Sequence, residues 1–140
     1  MKAINNATLK IGTLLTFCFL AFGTLSAQNM ANVTSKAAVL SFKAEVIDYG
    51  TINQNDDGSR TFTFKNEGQA PLIISKVTTT CGCTVPTYSK EPIQPGDYGT
   101  IDIVYNTKKV GTFTKSITVY SNATEGKKTI KIKGKVVAVN

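Results

Sequence analysis

Alternation of apolar and polar residues with a period of two runs through this chain from Leu40 to Val136, and it restricts the chain to β-structure. Leu40, Phe42, Ala44 and Val46 alternate with Ser41, Lys43 and Glu45, so one face of an extended segment is apolar and the other wet. Tyr49-Gly50 ends this run, and Asn53 to Gly58 (NQNDDG) reads as a turn. Phe62 and Phe64 alternate with Thr61, Thr63 and Lys65, after which Asn66-Glu67-Gly68 turns again. Leu72 to Val77 is apolar and β-branched, and Ile101, Ile103 and Tyr105 alternate with Asp102 and Val104. Phe113, Ile117 and Val119 line one side of the next run, and Ile130, Ile132 and Val136 alternate with Lys131, Lys133 and Lys135 in the last.

Past residue 27, no window of ten or more residues repeats its apolar positions at helical spacing. Six or seven strands with turns every ~8–12 residues predict an all-β sandwich, about seven antiparallel strands in two sheets. Parallel pairing is not expected, because its crossovers are usually helical. The expected core includes Phe62, Phe64, Leu72, Ile74, Ile101, Ile103 and Ile117.

The first 27 residues read differently. Lys2 and Lys10 precede an uncharged stretch, Ile11 to Leu25, and Ser26-Ala27 offers small residues before Gln28. That is the order of a cleaved secretory signal. The stretch is short of the ~20 residues of a membrane-spanning helix and contains Gly12 and Gly23. Cys18 does not mark a lipid-attachment site, because bulky Phe17 precedes it. The expected layout is a signal over 1–27, a polar tether over 28–36 and one β-sandwich domain over 37–140, with no membrane span after cleavage and a periplasmic or extracellular address.

The whole chain carries a net +7, and loss of Lys2 and Lys10 leaves 14 basic against 9 acidic residues, a net +5. Export argues against nucleic acid as the partner of this charge. Cys81 and Cys83 remain in a compartment where disulfides persist.

The order of short motifs is also recognisable. Val46–Ile52 (VIDYGTI), Phe62–Gly68 (FTFKNEG) and Pro71–Ile74 (PLII) come first. Thr80–Pro86 (TCGCTVP), Ile93–Gly96 (IQPG) and Ile101–Tyr105 follow, then Gly111-Thr112-Phe113, Ser121-Asn122 and Ile132-Lys133-Gly134. This order resembles the bacterial family called domain of unknown function fifteen-seventy-three. More distantly it is similar to the sperm-protein and pilus-chaperone branch of immunoglobulin-like folds. The resemblance implies an immunoglobulin-like sandwich and an exported setting, and no particular activity.

Cys81-Gly82-Cys83 is the constellation that can carry chemistry. In an extended segment both sulfurs face one side with Cα atoms ~6.7 Å apart, near the upper limit for a disulfide. A bend at Gly82, which tolerates φ > 0, shortens that distance. Three readings are open: two small buried residues at a strand end, a reducible disulfide acting as a redox couple, or a two-thiolate site for Cu(I). No other cofactor is expected. Structural zinc needs four N or S ligands, and the chain past residue 27 has no His and two Cys. Lys76 and Lys90 are near enough in sequence to favour a thiolate.

No catalytic residue is expected. Without His, the usual base of a Ser or Cys triad is missing. The acidic residues Asp56, Asp57, Glu67 and Glu125 sit in turns, and Glu45 and Asp102 on wet strand faces. Asn53 to Gly58 alternates oxygen ligands but lacks the distal Glu of a calcium loop, so it reads as a plain turn. Lys127, Lys128, Lys131, Lys133 and Lys135 form a basic stripe along the last strand. It is read either as a solvated face that discourages edge-to-edge pairing or as a surface for an acidic glycan, an anionic surface or a partner protein. Asn32-Val33-Thr34 and Asn122-Ala123-Thr124 fit the glycosylation pattern, a match read as coincidence because the resemblance implies a bacterial protein.

The function expected from these features is a non-enzymatic binding or structural module for a protein or cell-envelope partner. The alternative is a dithiol protein using Cys81 and Cys83. Processing is directly testable: the N-terminus of exported protein should lie within two residues of Gln28 by intact mass, and recovery of Met1 on it would exclude a cleaved signal.

Overall fold

A computed structural model describes residues 36–139, which contain eight β-strands and no helix. The expected signal, and the tether as far as residue 35, lie outside the described residues. The strands are β1 (Leu40–Phe42), β2 (Val46–Asn53), β3 (Ser59–Asn66), β4 (Ile74–Thr79), β5 (Thr84–Tyr88), β6 (Tyr98–Tyr105), β7 (Gly111–Ser121) and β8 (Lys127–Val137). They form two four-stranded sheets, ordered β1-β3-β6-β5 and β2-β8-β7-β4. The inward residues of both sheets make one core, and all seven expected core residues are at most 1% exposed. The fold is an immunoglobulin-like sandwich.

The run from Leu40 to Val46 is two strands in different sheets, not one. The Lys43 amide still bonds to Thr63 O of the first sheet, while Glu45 O already accepts Lys131 N of the second. This switch shifts the parity by one. Ala44 and Val46 therefore face solvent, and Ile47 and Tyr49 turn inward. Nor does Tyr49-Gly50 end the strand. The pairs Asp48↔Lys133 and Thr51↔Lys135 enclose one extra residue on β2, a bulge that Gly50 accommodates at φ 63°. Asp48 Oδ1 accepts the Gly50 amide at 2.8 Å, which is the main reason its carboxyl is held below the usual range; Lys133 adds to the effect.

Two further expectations are corrected. β5, which follows the cysteines, is an eighth strand. Its exposed Val85 and its Pro86 gave it little strand character in the sequence. β2 and β8 pair in parallel. No helical crossover is needed, because the intervening chain crosses to the other sheet and returns.

Asn66 ties the connections at one end together. It is fully buried at the end of β3. Its amide nitrogen donates to Ala70 O and Ile93 O, and its Oδ1 accepts from the Gly68 and Val39 amides. Its backbone bonds to Asp97 O and Gly96 N. Gly68 must lack a side chain, since a Cβ there would collide with the backbone of Ala37 and Val39.

The opposite end is aromatic. Tyr105 stacks on Phe113 with centroids 3.9 Å apart, and Tyr49 meets Phe113 edge-on at 5.3 Å. The Tyr49 hydroxyl donates to Gly58 O at 2.7 Å, and the Arg60 guanidinium lies 4.3 Å from the Tyr49 ring centroid. Burial pushes the Tyr49 hydroxyl up to about 12.

Two predictions follow from these ends. Asn66→Ala leaves the Val39 and Gly68 amides and the Ala70 carbonyl without their side-chain partner and should destabilise the domain by about 3 kcal/mol in urea unfolding. Tyr49 stays protonated longer when folded than when unfolded, so its contribution is complete below pH ~10 and is lost as pH rises toward 12. Tyr49→Phe should cost about 1 kcal/mol at pH 7 and flatten the decline of stability above pH 10. An unchanged decline in the variant would exclude Tyr49 as its source.

Candidate functional site

Residues 80–83 carry the chain from β4 in one sheet to β5 in the other. Within this corner Cys81 and Cys83 are joined as a disulfide with Cα atoms 5.3 Å apart. The expectation of a bend is met, but not by a left-handed Gly82. The glycines at positive φ are Gly50, Gly96, Gly111 and Gly126, and a Cβ on Gly82 would meet nothing within 4 Å. Hydrogen bonds make the turn instead. The Thr84 amide reaches Cys81 O at 3.4 Å, and Asn106 N donates to Cys83 O at 2.9 Å. The Thr79 hydroxyl lies 2.9 Å from Cys81 O and 3.2 Å from Thr84 O.

The two cysteines have different surroundings. Cys83 belongs to the buried core, 9% exposed, whereas Cys81 is half-buried against the rim of the core. Cys81 Sγ lies 4.0 Å from Thr84 Oγ1. A disulfide sulfur carries no proton, so the hydroxyl is the donor. On the Cys83 side, an open hollow of about 550 Å³ is lined by Gly82, Cys83, Val85, Val104, Tyr105 and the acidic turn Asp56-Asp57.

The lysines singled out beside the cysteines are elsewhere. Lys76 pairs with Tyr120, about 16 Å along an extended strand from Cys81. Lys90 lies beyond the end of β5 that is remote from Cys83.

The basic stripe is divided by the pleat. Lys127, Lys131, Lys133 and Lys135 share the outer face of β8, opposite inward Ile130, Ile132 and Val136. Lys128 takes the inward parity at the strand end and contacts Glu45 at 3.0 Å and Glu125 at 3.7 Å. Its pKa is raised, chiefly by the hydrogen bond to Glu45. Glu45 and Glu125 therefore have a role beyond solvation. The edge-guarding reading of the stripe is corrected, because β8 lies between β2 and β7. The edges are protected by other means: β1 is three residues long, and β2 and β4 carry bulges. On β5, the bonds Asn106 N to Cys83 O and Tyr105 N to Gly58 O fix the alternation. They place Pro86, which has no N–H, facing the open side.

The Asn53–Gly58 segment behaves as a turn. Asp56 Oδ2 accepts the Asn53 amide at 2.8 Å and Asp57 Oδ1 the Ser59 amide at 2.9 Å. The Ser59 bonds, above all that from its backbone, hold the Asp57 carboxyl below its ordinary range. Among the described residues, no group of three or more His, Cys, Asp or Glu is placed to hold a metal ion.

Two further residues bear on this corner, Thr84 beside Cys81 Sγ and Lys115 on the neighbouring strand β7. Thr84 looked like part of a motif rather than a sulfur contact. Lys115 occupies the inward position between Phe113 and Ile117, and it is half-buried. A lysine at an inward strand position was the available signal.

The chain was compared with known proteins. The family model described as protein of unknown function (DUF1573) matches residues 40–136. No curated protein matches. Among solved structures, a protein of unknown function from Porphyromonas gingivalis W83 superposes with a TM-score of 0.63 at 18% identity, covering 71% of this chain and 47% of that one. This chain thus spans about half the length of that protein. The ASH/PapD-like domain 7 of human CEP192 gives 0.62 at 7% identity, covering 74% and 89%. The YadV chaperone gives 0.54 at 14% identity, covering 69% and 51%. At these identities the structural likeness establishes the fold alone. With a match that spans all eight strands nearly end to end, the chain belongs to the DUF1573 family of proteins of unknown function.

Proposed function

We propose that this chain is an exported, non-enzymatic immunoglobulin-like module that binds an anionic partner, a protein or cell-envelope polymer, in the periplasm or outside the cell. The observation that carries the reading is the row Lys127, Lys131, Lys133 and Lys135 on the outer face of an interior strand. Edge protection does not explain lysines there. Alternate strand residues stand ~6.7 Å apart, a spacing suited to a polymer with regular negative charges. Threonines flank the row on β7, with Thr112 opposite Lys135 and Thr114 opposite Lys133. Asp48 contacts Lys133 at 3.2 Å across exposed surface, a pair of little net strength that an anionic partner can displace.

Lys131→Gln, Lys133→Gln, Lys135→Gln in one variant should leave unfolding stability within ~1 kcal/mol. Its affinity for an acidic polysaccharide at low salt should fall at least tenfold, and the salt dependence should flatten. Unchanged binding by the variant would remove the lysine row from the function.

A second reading is favoured by the disulfide itself: Cys81 and Cys83 form a redox couple whose half-buried member is open to exchange. Cu(I) binding requires the pair to be reduced first, since the bonded sulfurs offer no thiolate.

A further inference from the structure

We propose that, within the dithiol reading, Cys81 is the nucleophile and that Thr84 and Lys115 are its positioning residues, making the domain a thiol–disulfide exchange partner for protein disulfides. The β4–β7 register pairs Thr78 with Thr118 and Thr79 with Ile117. It continues through Thr80, whose amide bonds to Ser116 O at 3.1 Å and whose hydroxyl accepts the Ser116 amide at 3.4 Å. Carried one position further, into the corner, the same register would set Cys81 opposite Lys115. Both residues are half-buried, and Lys115 has the inward parity of Ile117. Thr84 Oγ1 lies 4.0 Å from the Cys81 sulfur, and the extended register would bring the Lys115 cation to the same side, an arrangement that favours a thiolate.

Cys83 has the opposite surroundings. It is buried, and the hollow beside it is lined also by Asp56, Asp57, Tyr105 and Lys108. Burial favours its neutral thiol. The asymmetry separates an attacking thiol from a resolving one.

In the exchange, the Cys81 thiolate attacks one sulfur of a substrate disulfide. That S–S bond breaks, one half leaves as a thiolate, and the other half is bound to Cys81. Cys83 then loses its proton to the departing thiolate or to water and attacks Cys81 Sγ. The second half leaves as a thiolate, and the Cys81–Cys83 bond seen in the structure is formed. The pair has given up two electrons and the substrate disulfide has gained them; with the steps reversed, the domain oxidises two substrate thiols.

The test uses the purified, reduced exported protein, alkylated with iodoacetamide across a range of pH, with fragment-level peptide mapping to read Cys81 and Cys83 separately. Cys81 should react first, with an apparent pKa below that of a free thiol. Thr84→Val and Lys115→Gln should each lower its rate several-fold at pH 7 and shift its pH profile upward, and Lys115→Arg should restore it. Thr84→Val keeps the side-chain shape, so it reports on the hydroxyl should the lysine variant unfold. Faster alkylation of Cys83, or profiles unmoved in both variants, would overturn the assignment of roles. Equilibration with a glutathione redox buffer distinguishes the underlying reading. If the pair stays oxidised or stays reduced across the whole buffer range, the redox couple is excluded and the proposal falls with it. If it exchanges while the variants do nothing, only Thr84 and Lys115 are excluded.

Discussion

Asn66 is a polar side chain in the core with four hydrogen bonds to backbone, and the upper half of the sandwich is arranged around them. Its oxygen receives the chain before β1 and the turn after β3, and its nitrogen reaches the segments before β4 and before β6. Val39 and Ile93 are each 27 residues away in sequence, one before and one after, and Asn66 joins both to its own turn through Gly68 and Ala70. A buried amide with every donor and acceptor occupied also specifies geometry, because an apolar residue of the same size would leave those backbone groups bare. Gly68 permits the close approach of the Ala37–Val39 backbone that the network requires. With that end fixed, the alternating strands have one way to close over the core.

The two ends of the domain have different chemistry. The Asn66 end is a backbone junction. The other end combines the stack of Tyr49, Tyr105 and Phe113 with the Cys81–Cys83 corner and the acidic turn at Asp56-Asp57. The aromatic stack holds Gly58 and Tyr105 in place, and through Asn106 it holds the carbonyl of Cys83. The disulfide corner thus rests against the aromatic end of the core. The lysine row is on a different surface, the outer face of the β2-β8-β7-β4 sheet. The binding role proposed for the one surface and the thiol role proposed for the corner would place separate demands on the same frame.

The position of β8 shows how topology changes what a residue pattern means. On an edge strand, alternating lysines keep other chains from adding to the sheet. On an interior strand the same lysines have no backbone edge to guard, and only their charge and spacing remain. Edge protection is handled where the edges are: by the brevity of β1, the bulges of β2 and β4, and the missing N–H of Pro86 on β5. The pairs that Lys128 makes with Glu45 and Glu125 show the same dependence on position, since parity alone separates it from the outward row.

The sequence by itself determined the class of fold, the strands β3, β6, β7 and β8, and the core from Phe62 to Ile117, because period two projects directly onto the faces of a pleated strand. The order of its motifs also carried the family. It did not determine where one alternating run changes sheets, because Lys43 and Glu45 look alike as polar residues and differ only in which sheet their backbone joins. The parallel pairing of β2 with β8, the interior place of the lysines, and the corner at which Cys81 and Cys83 pass from one sheet to the other are likewise tertiary facts. They depend on which strand becomes whose neighbour, and that is settled by packing two sheets around a shared core rather than by any local pattern of residues.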